Sequence, residues 1–183
     1  MTEPTLVQQL AELAARPPAD LPDAVRSSAQ QRVLDILGIC VRAATLDTSA
    51  AATRFAVAQG GRPDASAIGV TTRLPAPAAA FVNGVLAHSL DYDDTHLPSI
   101  LHPSASVVPA TLAAAQAAGT DGATTIAAAA VGIEIAVRLG MAGYDREAAA
   151  SVYFDRGQHA TSMCGAIGSA AAAAAVTKLD EDR

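Results

Sequence analysis

The chain has 183 residues and a formal net charge of −6, and although 51% of it is apolar only 3% is aromatic and Trp is absent. Alanine therefore supplies much of the apolar content, and a chain rich in the strongest helix former and poor in β-formers points to an all-α fold. An acidic chain without a run of Lys or Arg has nothing to hold a phosphate backbone over a broad face, so nucleic acid is not an expected partner.

Its length suits a single domain over residues 1–183. Cys40 and Cys164 are the two cysteines, both in apolar, helix-like surroundings. They suit reduced thiols in the cytoplasm better than a disulfide framework. The opening Met1-Thr2-Glu3-Pro4 lacks the basic and apolar regions of a secretory signal, which again points to the cytoplasm.

Leu6 to Ala15 reads as a short helix stopped by Arg16-Pro17-Pro18, because proline disfavours a helical residue before it. Asp23 is the expected cap of a second helix, in which Val33, Ile36, Leu37, Cys40 and Val41 form one apolar stripe. A third helix runs from about Ser49 to Ala58 and ends at Gly60-Gly61. Ala65 to Val70 is the one candidate strand.

Pro75 and Pro77 open a helix through Phe81, Val82 and Val85 that reaches at least His88. Pro98 and Pro103 bracket a loop, and Ser104 to Ala118 follows as a helix stopped by Gly119. Gly122 to Gly140 is the next, with Ile126, Ala130, Ile133 and Val137 on one face. The last covers about Thr161 to Lys178, where Gly165, Gly168, Ser169 and Ala172 leave a face bare enough to lie against another backbone. The uncharged stretch Gly157 to Thr177 holds Gln158, His159, Thr161, Ser162 and Ser169, and reads as a buried helix instead of a membrane span.

Two places concentrate polar residues. The first is His88-Ser89-Leu90-Asp91-Tyr92-Asp93-Asp94-Thr95-His96, followed by His102-Pro103-Ser104. A helix that persisted to Thr95 would set His88, Asp91 and Thr95 on one face, with His102 folding back onto it. The bland reading makes Asp93, Asp94 and Thr95 a solvated helix end. A third reading joins the three carboxylates to His96 and His102 as oxygen and nitrogen ligands for a divalent metal. The second place is Arg156-Gly157-Gln158-His159-Ala160-Thr161, before the last helix. Its free N–H groups and partial positive charge, with Arg156 and His159 beside them, make a cradle for a carboxylate, although a histidine there can equally be a structural hydrogen-bonding residue.

The stretch Asn83-Gly84-Val85-Leu86-Ala87-His88-Ser89-Leu90-Asp91-Tyr92-Asp93-Asp94-Thr95-His96, with His102-Pro103-Ser104 and Pro109-Ala110, resembles the signature of the MmgE/PrpD family. Leu34-Asp35-Ile36-Leu37-Gly38, Val131-Gly132-Ile133-Glu134-Ile135-Ala136-Val137-Arg138 and Gly157-Gln158-His159 agree in order and spacing, so the resemblance covers essentially the whole chain. The family includes 2-methylcitrate dehydratase, cis-aconitate decarboxylase and iminodisuccinate epimerase. The resemblance implies a cofactor-independent lyase without a metal, in which a large helical domain and a smaller lid domain enclose the site. It places Asp91, Thr95, His102 and His159 at catalytic positions. Asp93, Asp94 and His96 belong to the same motif and, with Arg156 and Ser104, are the candidate substrate-binding residues.

Such a site must stabilise negative charge at a carbon next to carboxylates while a proton, water or CO2 leaves. His102 and His159 are the expected proton-transfer or carboxylate-binding groups, with Asp91 and Thr95 orienting histidine or substrate. Family members are more than twice as long, and the remainder carries the lid, the returning helices and the active-site lysines. The expectation is a split enzyme acting on a small polycarboxylate, completed by a second polypeptide in a dimer or hetero-oligomer. A short homologue repurposed for a cyclisation, elimination or isomerisation, and a non-catalytic assembly subunit, are the alternatives.

Overall fold

The computed structural model of the protein describes residues 3–15 and 21–180. In chain order the helices are α1 (Leu6–Ala14), α2 (Asp23–Ala43), α3 (Asp47–Gln59), α4 (Ala76–His88), α5 (Pro103–Ala118), α6 (Gly122–Ala142), the single turn α7 (Val152–Asp155) and α8 (Ala160–Thr177). A 3-10 turn, Leu97–Ser99, lies between α4 and α5, and a two-residue antiparallel ribbon, Tyr144–Asp145 with Ala150–Ser151, joins α6 to α7. The all-α expectation holds.

Local chemistry explains most helix ends. Thr5 and Gln8 close a reciprocal capping box on α1, while the Arg16-Pro17-Pro18 stop lies outside the described residues. Asp121 caps α6 by accepting from the Thr124 N–H at 2.9 Å. Gly119 ends α5 in the left-handed region at φ 68°, a conformation that costs glycine nothing.

Three local expectations need correction. Asp23 does not cap α2: Pro22 holds that position without a side-chain bond, and Asp23 lies one residue inside, where its charge still suits the helix dipole. The buried face of α2 is Val33, Ile36, Ile39, Cys40 and Ala43, with Leu37 at its margin, so Val41 falls on the other flank and is 62% exposed. Ala65 to Val70 is not a strand. Only Ala65 bridges, to Leu74. Beyond it the amide of Asn83 on α4 accepts from the Ile68 N–H at 2.9 Å and donates to the Ser66 carbonyl at 3.1 Å. A side chain therefore does for this segment what a neighbouring strand would otherwise do.

The helices pack around α5 and α6. Val33, Ile36, Cys40, Val82, Leu86 and Val108 are buried in one cluster built from α2 to α6, while Leu101, Val107, Ala136, Ala160, Cys164 and Ala172 form a second beneath α8. The bare face of α8 is used as its composition suggests. A Cβ on Gly168 would lie 2.4 Å from the Gly132 carbonyl, and one on Gly132 would lie 2.5 Å from the Gly168 carbonyl. Side chains at either position would push the two backbones apart. By length and composition α6 and α8 are each apolar enough to cross a membrane, and here each turns a face onto the other. On its outer side α8 leaves Met163 and Ile167 more than 40% exposed.

Candidate active site

The geometry of the first polar segment begins with the end of α4. The helix stops at His88, and Asp91 takes a left-handed conformation at φ 55°, so the chain turns away before Thr95. The single helical face carrying His88, Asp91 and Thr95 does not form. The segment doubles back instead: His96 and Leu101 pair in an isolated bridge, and Ile100 is left-handed at φ 49°. The hairpin is seated on α6, where a Cβ at Gly140 would be 2.4 Å from Leu101 Cδ2 and 2.8 Å from Ser99 Cβ. His102 therefore enters α5 as its N-cap at a fixed place.

That turn assembles a cluster. Asp93, with a fully buried side chain, lies with its carboxylate 3.0 and 3.1 Å from His88 Nδ1 and 3.4 Å from His102 Nδ1. His102 Nδ1 is also 3.3 Å from the Asp93 carbonyl and 3.5 Å from Thr95 Oγ1, and its Nε2 is 3.8 Å from Asp91 Oδ1. The two imidazoles stand edge to face with centroids 5.0 Å apart. The His102 backbone N–H donates to Thr161 Oγ1 at 3.1 Å, which ties the cluster to the first turn of α8. Beside it runs an open groove lined by Phe81, Gly84, His88, Ser106, Thr161 and Ser162, contributed by α4, α5 and α8.

The remaining candidates divide. Asp94 accepts from the Ser104 N–H at 3.1 Å and the Ser104 hydroxyl at 2.8 Å and pairs with Arg32 of α2. It thus caps the α5 start and braces the loop, and Ser104 is fully buried. His96 turns from the cluster to Ser99, 2.7 Å away, and lines a different groove with Arg32 and Glu134. His159 is the exposed N-cap of α8: its Nδ1 accepts from the Ser162 N–H at 3.4 Å, and its ring meets Phe154 edge-on at 5.9 Å. Arg156 is exposed nearby.

His88 is the member that spacing alone did not assign. Its signal was a histidine on the last helical turn five residues before a carboxylate, but the pairing depends on the backbone reversing at Asp91. The donor atoms of His88, Asp91, Asp93 and His102 all lie within 4.8 Å of one another, a mixed nitrogen and oxygen set of the kind divalent ions accept. The metal reading built on His96 is not what forms, since His96 is outside this set. Chemically the cluster offers two imidazoles fixed by one buried carboxylate. The N-terminus of α8 adds N–H groups suited to a carboxylate ligand.

The family model of the MmgE/PrpD N-terminal domain matches residues 8–183. A human cis-aconitate decarboxylase is 34% identical over 158 residues, 84% of this chain and 32% of its own length. The mouse cis-aconitate decarboxylase is 40% identical over 117 residues, 62% of this chain and 21% of its own. A cis-aconitate decarboxylase-like protein of Aspergillus oryzae is 29% identical over 169 residues, 88% of this chain and 33% of its own. The chain thus spans about a third or less of the curated relatives it matches. Matched over residues 8–183, and with the helical fold described above, the chain belongs to the MmgE/PrpD family, a family of lyase type, and represents its N-terminal domain.

Proposed function

We propose that this domain is the helical half of a lyase site that removes CO2 or water next to a carboxylate of a small polycarboxylate, with histidine handling the proton. The observation that carries the reading is the position of His102. Its Nδ1 is surrounded by the Asp93 carboxylate and carbonyl, and its backbone is bonded to the first turn of α8. A substrate carboxylate at that helix start would bring an adjacent carbon within reach of the ring. The names of the relatives favour decarboxylation of a cis-aconitate-like tricarboxylate.

In that reaction the C–C bond to the departing carboxylate breaks, its electron pair is spread over the adjacent double bond toward a carbon next to a remaining carboxylate, and a protonated histidine delivers a proton to that carbanion. For dehydration the same histidine, unprotonated, takes the proton from carbon as hydroxide leaves. His102 is assigned proton transfer, His159 carboxylate binding or the second proton transfer, and Asp91 and Thr95 orientation. Arg156 supplies positive charge at the mouth. Asp94 and Ser104 are assigned support of the loop. His96 is left without a role in the chemistry.

The site requires more polypeptide than these residues, including further cations, and in our reading a second chain supplies it in the cytoplasm. The exposed Leu6, Val7, Met163 and Ile167 support such a covering partner. The test is to purify the chain from its own source under gentle conditions, identify any stoichiometric polypeptide by native mass spectrometry, and incubate the assembly with cis-aconitate. Release of CO2 with formation of a decarboxylated diacid supports the reading. An assembly that binds the tricarboxylate but neither decarboxylates nor hydrates it favours a non-catalytic subunit, and turnover only of an unrelated precursor favours the repurposed homologue.

A further inference from the structure

The polar cluster contains one feature that proton transfer by His102 does not use. Asp93 is the buried acidic side chain among the described residues, and both of its ring partners present the same nitrogen to it. An ionised carboxylate only accepts, so His88 Nδ1, hydrogen-bonded to it at 3.0 and 3.1 Å, carries the hydrogen. For His102 the acceptor is the Asp93 carbonyl, 3.3 Å from Nδ1, with the carboxylate 3.4 Å away as an ion-pair neighbour. Both rings are thereby set as the Nδ1–H tautomer, which leaves the lone pair on Nε2 in each.

We propose that Asp93 is a shared positioning carboxylate that sets His88 and His102 with Nδ1 turned inward and Nε2 free, so that His88 is a working residue of the site. His88 is the half-exposed member and lines the groove between α4, α5 and α8. His102 is the more enclosed member, with its Nε2 toward Asp91. The two rings stand edge to face with centroids 5.0 Å apart, on either side of the one buried carboxylate that orients them.

The charged groups facing the pair among the described residues are Asp93 between the rings and Asp91 beside His102. From α2, Arg32 reaches this loop but is engaged by Asp94. From α8 the contact is the neutral hydroxyl of Thr161. During turnover the proton moves between substrate carbon and an Nε2, and Asp93 balances the imidazolium without itself taking the proton. The inference rests on the proposed lyase reading for its chemical use, and its structural content stands apart from it.

The test is therefore one that needs no substrate. Long-range 1H–15N spectra of the 183-residue chain, with labelled histidine, report which ring nitrogen carries hydrogen. The expected result is Nδ1–H for His88 and His102, against Nε2–H for exposed His159. Asp93→Asn should release the His88 tautomer, giving mixed Nδ1–H and Nε2–H signals, and should Asp93→Asn fail to fold, the wild-type spectra decide alone. Nε2–H rings in the wild type, a His88 tautomer unmoved by Asp93→Asn, or both rings held by stoichiometric zinc added as the metal alone would overturn the proposal. In the proposed assembly His88→Gln should lower turnover about tenfold or more, and turnover indifferent to it would overturn the working role of His88. Absence of lyase activity from the wild-type assembly with both tautomers in place would instead refute the functional reading.

Discussion

The two polar segments of this domain are built in opposite ways. The segment from His88 to His102 is folded onto the protein: its hairpin sits on Gly140, Asp93 is enclosed by two rings, and Asp94 ties α2 to the start of α5. The segment from Arg156 to His159 stays outside, all four of its residues exposed, with His159 held by the turn it caps and by the edge of Phe154. The first is pre-organised by the domain itself, in the sense that its tautomers and distances are set before any ligand arrives. The second is one guanidinium, one imidazole and a few N–H groups awaiting a ligand or a covering partner to order them.

The contrast can be broken at its foundation. Both segments depend on α6 and α8 meeting at Gly132 and Gly168, so Gly132→Val should lower stability by about 3 kcal/mol or more, read as a fall in the urea midpoint, because its side chain meets backbone and the side chains of Val107 and Ala172. Asp94→Ala should cost about 1 to 3 kcal/mol, since Ser104 is left buried without its acceptor and Arg32 loses its partner. The same truncation in the exposed segment, Arg156→Ala, should stay within about 0.5 kcal/mol in the same urea titration. An equal cost for the two substitutions would abolish the distinction.

A smaller effect sharpens the same point by pH. Burial pushes the Cys40 thiol up to about 11 from 9.0, where its S–H donates to the Asn83 carbonyl. The neutral thiol is favoured in the folded state, so its contribution is fully present below pH 9 and is lost as pH rises from about 9 toward 11. Cys40→Ala should flatten that limb of the stability curve, and alkylation of Cys40 in the native protein should be slow beside that of the unfolded chain.

Much of the helical frame was legible because its punctuation is local. Pro75 and Pro77 and Gly119 mark ends by chemistry that acts within a few residues. The strand expected at Ala65 to Val70 failed because the partner of that backbone is the Asn83 side chain on a helix, a contact no periodicity encodes. The site was legible in its residue types and less so in its geometry. Nothing before Asp91 forbids the helix from continuing. The reversal follows from packing, with Leu101 and Ser99 fitting against Gly140, and only that reversal carries Asp93 under His88. The same packing sends His96 to another groove although it is adjacent in sequence to Thr95.

The most direct test of the central claim is the fate of solvent hydrogen. The proposed assembly is given cis-aconitate in D2O, and carbon-bound deuterium is measured in the decarboxylated product for wild type and for His102→Gln. The account predicts deuterated product from the wild type and a fall in its rate of formation of about a hundredfold to ten-thousandfold in the variant, with the fold unchanged by circular dichroism. Equal rates of deuterated product from the two proteins would contradict it, since the proton would then come from a group other than the histidine that this domain positions with such care.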